Sequence, residues 1–249
     1  MILAIAGREL RATFNTATGW LVLTGYLFLT GLVWSASFSM YVEQMANLLD
    51  NPYAAEQASL GLSLVAPVMQ TNAVILLLLV PAISMRLFAE EYRQRTFELL
   101  LTSPATTAQI VVGKFAGAAG FVTVLIGLAA YAPLSLMLWG RPDLGVIGGG
   151  VLALWLLALL LVAMGTFFSS LTESQVVAMV LTFAGALGSW LLTAVDDDPA
   201  SIWQQLSPSP HLVDLTHGLV NLSDVAYFAV AIAFFLFAAH QSVDSHRWS

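Results

Sequence analysis

Charged residues punctuate this chain at long intervals. No Asp, Glu, Lys or Arg occurs in 12–42, 57–85, 115–140, 144–172, 174–195 or 225–243, gaps of 31, 29, 26, 29, 22 and 19 residues. A helix needs about 20 mostly apolar residues, at about 1.5 Å each, to cross roughly 30 Å of hydrocarbon. The pattern therefore predicts six spans, at about 19–39, 66–87, 108–138, 145–168, 175–194 and 224–240. The third is long enough to tilt or to project beyond the bilayer. Helices are expected rather than barrel strands, because lipid gives an open backbone no hydrogen-bond partner and barrel strands would alternate polar and apolar residues.

The segments between the spans carry weaker patterns. Residues 2–15 predict a helix lying on the membrane surface, with Leu3, Gly7, Leu10 and Phe14 on one face and Arg8, Arg11 and Asn15 on another. Asn15, Thr16 or Thr18 can cap the span that follows. The apolar run after Arg11 is longer than the core of a cleaved signal peptide, so it is read as a retained span. Pro67 marks the start of span two, and Pro81 inside it removes a helical hydrogen bond and predicts a kink. Residues 195–223 open on Asp196-Asp197-Asp198-Pro199. They continue with Trp203, Leu206, Leu212, Val213, Leu215, Leu219 and Val220, too apolar for a solvated loop. One or two short helices dipping back into the outer leaflet are expected there.

Composition supports the membrane reading. The chain is 59% hydrophobic and 9% charged, against about 45–50% and about 25% in soluble domains. With six spans, one side receives Arg8, Arg11, Arg86, Arg93, Arg95, Lys114 and Arg247, and the other only Arg141. That asymmetry predicts a multi-pass inner-membrane protein with both termini cytoplasmic. The net charge of −7 comes mostly from the outer side, which argues against nucleic acid as a partner. There is no cysteine, hence no disulfide and no thiolate chemistry.

Candidate chemistry is sparse. The sequence contains no G-x-x-x-x-G-K-[ST] and no H-E-x-x-H, so no nucleotide loop or zinc helix of those kinds is encoded. His211 and His217 are six residues apart, too far for a metal pair one helical turn apart. Ionisable residues are missing from the middle of the spans, which weighs against a proton-coupled or sodium-coupled transporter working alone. Small residues in span three (Gly113, Ala116, Gly117, Gly120) and span five (Gly185, Gly188) permit close helix packing.

One segment stands apart. In FAEEYRQRTFELLLTSP, residues 88–104, five charges (Glu90, Glu91, Arg93, Arg95, Glu98) fall within nine positions. The spacing predicts a helix over 88–101. Glu90 is paired with Arg93 and Glu91 with Arg95, each pair worth about 0.2–0.5 kcal/mol. Tyr92, Thr96, Leu99 and Leu100 form one strip, Phe97 and Leu101 another. Pro104 stops the helix, and Thr106 or Thr107 caps the next. A cytosolic amphipathic helix fixed between two spans can pass a partner's push to both.

This segment resembles the signature of ABC-2 type permeases, in which a charged cluster precedes G-T-x-E-x-L-L-x-x-P and then a Gly-Lys in the next span. Thr96, Glu98, Leu100, Leu101 and Pro104 match, as do Gly113 and Lys114, while Arg95 stands where glycine is usual. FSSLTESQ at 168–175 is similar to the second cytosolic turn of these permeases. His211, Gly218, Asp224 and Tyr227, with the tail DSHRW, resemble the gliding-motility-type branch.

The resemblance implies an all-α integral membrane protein forming one transmembrane domain over 1–249. It would have six spans, an N-terminal interfacial helix, a cytosolic coupling helix and short outer re-entrant helices. It implies a non-catalytic permease subunit that converts ATP hydrolysis elsewhere into export or into motion transmitted across the membrane. ATP and Mg would bind a partner ABC ATPase dimer, and a second permease copy or related permease would complete the pair. In the gliding-type branch a membrane protein with a large periplasmic domain is a further companion. Glu90, Glu91, Arg93, Arg95, Phe97, Glu98 and Leu101 would face the ATPase, with Ser170, Thr172 and Glu173 a lesser second contact. The rival reading is an ion-coupled secondary transporter without an ATPase.

Overall fold

The computed structural model describes residues 1–48, 60–96, 106–138, 142–196, 198 and 201–245. Its described elements are helical throughout. Helix α1 (Ile2–Asn15) leads into the long α2 (Ala17–Leu48). A π-helical turn (Gly61–Val65) opens into α3 (Ala66–Ser84), which Met85 separates from the short α4 (Arg86–Arg93). Then come α5 (Thr107–Ala129), α6 (Tyr131–Leu134), α7 (Leu144–Ser170) and α8 (Gln175–Leu191). Two short helices, α9 (Ile202–Leu206) and α10 (Pro208–Thr216), precede α11 (Leu222–Ser245). Six helical stretches are long and apolar enough to cross a membrane: Ala17–Asn47, Gly61–Arg93, Thr107–Leu138, Leu144–Ser170, Gln175–Ala194 and Leu222–Ser245. The chain is an all-α, multi-pass membrane protein.

Helix α7 is the axis of the bundle. Of its most apolar stretch 78% is buried, against 22% for α2 and 17% each for α8 and α11. A helix that is apolar on all sides belongs at the centre, and α7 has no polar stripe to turn outward. Its glycines let neighbours approach. A Cβ on Gly165 would fall on the Ser84 side chain of α3, so only a residue without one permits this crossing.

Local sequence explains where the helices start and bend. Thr106 caps α5 in a reciprocal box with Gln109, Asp143 caps α7 and Ser174 caps α8, each satisfying otherwise unpaired N–H groups. The third span is not one straight helix. It breaks after Ala129, ahead of Pro133, which has no N–H to continue the ladder. Pro81 lies within α3, and the interruption of span two falls at Met85, four residues further on.

Helix α1 packs against α5. Leu10 and Phe14 are partly buried against the core, and Leu3 is exposed. The face of α1 that meets the glycines of α5 is Ile2, Ile5, Ala6, Glu9 and Leu10. Phe14 packs on Phe121, 5.1 Å between ring centroids. The glycines of α5 let that face approach closely.

Candidate coupling site

Helix α4 is short because its chain turns away after little more than two turns. The N–H of Arg95 donates to Tyr92 O at 3.1 Å, and the N–H of Thr96 donates to Glu91 O at 3.0 Å. With Arg95 at φ 55°, this is the paired bonding of a Schellman C-cap. The expected helix over 88–101 therefore ends at Arg93. The position where the family signature has glycine is the left-handed residue of the cap. Phe97, Glu98 and Leu101 lie outside the described residues.

The start of α4 is capped from another helix. Met85, its own N-cap, makes no side-chain cap bond. Instead the hydroxyl of Ser169, on the last turn of α7, accepts from the N–H groups of Phe88 (2.9 Å) and Ala89 (3.0 Å) and donates to Met85 O (2.9 Å). Arg86 donates to Thr16 (2.7 Å) and Thr18 (3.1 Å) at the corner between α1 and α2. Leu87, Phe88 and Ala89 are buried beneath the helix.

The charges do not pair along α4 as its spacing suggested. Among the described residues neither Glu90–Arg93 nor Glu91–Arg95 forms an ion pair. Glu90 accepts from Gln94 at 3.1 Å. Glu91 turns inward to Lys114 of α5 at 2.8 Å and to Arg8 of α1 at 3.3 Å. Arg93, Gln94, Arg95 and Thr96 are exposed, and Glu90 is half-buried beside them.

The second predicted contact is also redistributed. Ser170 is fully buried, its hydroxyl donating to Phe167 O at 2.7 Å and its carbonyl accepting from Ser242 at 3.2 Å. It packs the turn rather than facing solvent. Thr172 accepts from the N–H of Ser174 at 3.1 Å, and Glu173 is exposed. Thr107 donates to Asp244 at 3.2 Å. The N-terminal helix, α4, the 170–174 turn and the end of α11 thus gather at one end of the bundle.

At the opposite end three of the residues singled out in 211–227 converge. His211 Nδ1 lies 2.8 Å from Asp224 Oδ1. The imidazole stacks on Tyr227 with centroids 4.3 Å apart, and the Tyr227 hydroxyl donates to Leu206 O at 2.7 Å. Gly218, at φ 82°, closes α10. Below this cluster an apolar recess of about 740 Å³ is walled by α7, α8 and α11, with Gln205 and Leu206 at its upper edge. Among the described residues no group of three His, Asp or Glu side chains is arranged to hold a metal.

These features define a class: a polytopic helical membrane protein with a charged, helix-capped element braced between its spans at one end. The model of the ABC-2 family transporter proteins matches residues 3–195, and the chain belongs to that family. A search of curated proteins gives no match. Membership makes the chain a membrane subunit of an ABC transporter, a component that normally carries no catalysis and that partners an ABC ATPase.

Proposed function

We propose that this subunit receives ATP-driven motion through α4 and the turn that follows it. The observation that carries this reading is the bracing of α4. Ser169 ties it to α7, Lys114 to α5, and Arg86 to the α1–α2 corner. Force applied to the exposed Arg93, Gln94, Arg95 and Thr96 is delivered to several spans together. The mechanism is a population shift, in which nucleotide-driven closure of the ATPase pair favours one arrangement of the spans. Glu90 borders this surface, Glu173 is exposed at the same end of the bundle, and Phe97, Glu98 and Leu101 continue the surface in sequence.

The finer assignments go with this reading. The basic side faces the cytoplasm, which places both termini there and the protein in the inner membrane. ATP and Mg bind the ATPase, and a second permease copy or a related permease completes the membrane half. The convergence of His211, Asp224 and Tyr227 supports the gliding-motility-type branch, whose further companion has a large periplasmic domain. ATP-dependent uptake into inverted vesicles separates export from motion transmitted without a cargo.

The test is co-purification of the ABC ATPase with variants of the exposed surface. Arg93→Glu combined with Arg95→Glu is expected to weaken recovery of the ATPase and reduce its turnover in the complex, with the membrane subunit still folded. Full recovery and turnover would remove α4 as the contact. Ion-gradient-driven transport by the chain alone would favour a secondary transporter.

A further inference from the structure

Lys114 sits two turns inside α5, yet its side chain is 1% exposed. Burying an ammonium costs several kcal/mol unless it is paired and hydrogen-bonded. Its acceptors come from two other helices. Nζ donates to Leu87 O at 2.6 Å and to Glu91 Oε1 at 2.8 Å on α4, and lies 3.7 Å from Glu9 Oε1 on α1. The Phe88 ring covers it, 5.2 Å from its centroid. Arg8 completes a balanced group of two cations and two carboxylates, 3.3 Å from Glu91 and 4.0 Å from Glu9. Arg8 is 55% exposed, so solvent weakens its share. The buried Lys114 is the firm member.

The neighbouring glycines bring the helices into range. A Cβ on Gly113 would lie 2.8 Å from Ile5 Cβ, and one on Gly117 would lie 2.6 Å from Glu9 Cβ and 2.9 Å from Ala6 O. Helix α1 is in turn fastened to the next element, since the Trp20 indole N–H donates to Phe14 O at 2.8 Å. Helix α2 is among the least buried of the spans.

We propose that Lys114 is a positioning residue that makes α1 and α4 one mechanical unit, so that displacement of α4 moves the surface helix and, through it, α2. This rests on the reading that a partner acts on α4. One ammonium shared by carboxylates of two helices resists their separation, because either helix leaving alone strands a carboxylate or the lysine.

The absence of cysteine allows pairs of spin labels to be placed without background. One pair joins Ala12 on α1 to Gln94 after α4, and a reference pair joins Gln94 to Glu173; all three positions are exposed. Both pairs are expected to give one narrow distance in the unaltered chain in lipid nanodiscs. Lys114→Met should abolish the narrow 12–94 distance and leave 94–173 narrow, because Ser169 still holds α4. Glu9→Gln, which leaves Lys114 bonded to Glu91 and Leu87 O, should broaden 12–94 in the same direction, and Lys114→Arg should restore it. An unchanged 12–94 distribution in both Lys114→Met and Glu9→Gln would overturn the proposal. In the complex with its ATPase, 12–94 should stay constant between nucleotide-free and ATP-trapped states while a label at Thr24 on α2 moves relative to Glu173; a change in 12–94 would also overturn it. If the ATPase moved no label, the docking reading would fail, and the nanodisc comparison would still decide the role of Lys114.

Discussion

Ser169 gives Phe88 the helix cap that α4 does not supply for itself. The Phe88 N–H donates to the Ser169 hydroxyl at 2.9 Å across 81 residues of sequence, joining the end of the central helix to the start of α4. Ser169→Ala removes three hydrogen bonds at a fully buried position. A cost of about 2 kcal/mol is expected from a lost cap with buried groups left unpaired. Faster hydrogen exchange at the Phe88 and Ala89 amides, measured beside an unchanged α8, would show that the loss is local.

Helices α4 and α10 end with the same C-cap. Helix α10 closes at Gly218 (φ 82°), with Gly218 N–H to Leu215 O and Leu219 N–H to Asp214 O, both 3.0 Å; α4 closes at Arg95 (φ 55°) with the equivalent pair. A residue with a Cβ is strained there by about 1 kcal/mol relative to glycine. Arg95→Gly should therefore hold or raise thermal stability, and the β-branched Arg95→Val should lower it. Should Arg95→Gly keep its stability and lose ATPase stimulation, the guanidinium itself contacts the partner.

The spans were legible because lipid imposes one simple demand, a long apolar run, and six charge-free gaps meet it. The caps Thr106, Asp143 and Ser174 follow local rules, although sequence spacing singled out only the first as a candidate. Glu91 was misread as the partner of Arg95 for a definable reason. Its local neighbour Arg95 and its actual partners Lys114 and Arg8 have the same chemistry, and spacing along a helix cannot rank a contact 23 or 83 residues away. Arg95 hid the end of α4 because the usual glycine signal is absent. Ser169 carried no signal, since a cap supplied by another helix leaves no pattern near the helix it caps. Lys114 entered only as part of a resemblance, and its burial against two carboxylates became visible once α1 was placed on α5.

Asp224 is buried at the start of α11, with Oδ1 on His211 and no hydrogen bond to Oδ2 among the described residues. His211→Ala would leave that buried carboxylate without its hydrogen-bond partner and is expected to cost about 2 kcal/mol. Asp224→Asn keeps a hydrogen-bonding group without the charge and should cost nearer 1 kcal/mol. Urea or thermal unfolding of both variants checks the order. The reverse order would show that the hydrogen bond from His211 is not what holds Asp224.

Placing a photo-crosslinking residue at Arg93 or Gln94 in the assembled transporter, with Trp203 at the opposite end as control, tests the central claim most directly. The account predicts an adduct with the ABC ATPase from both α4 positions and none from Trp203. Adducts with the ATPase from other parts of the chain, with none from Arg93 or Gln94, would contradict it.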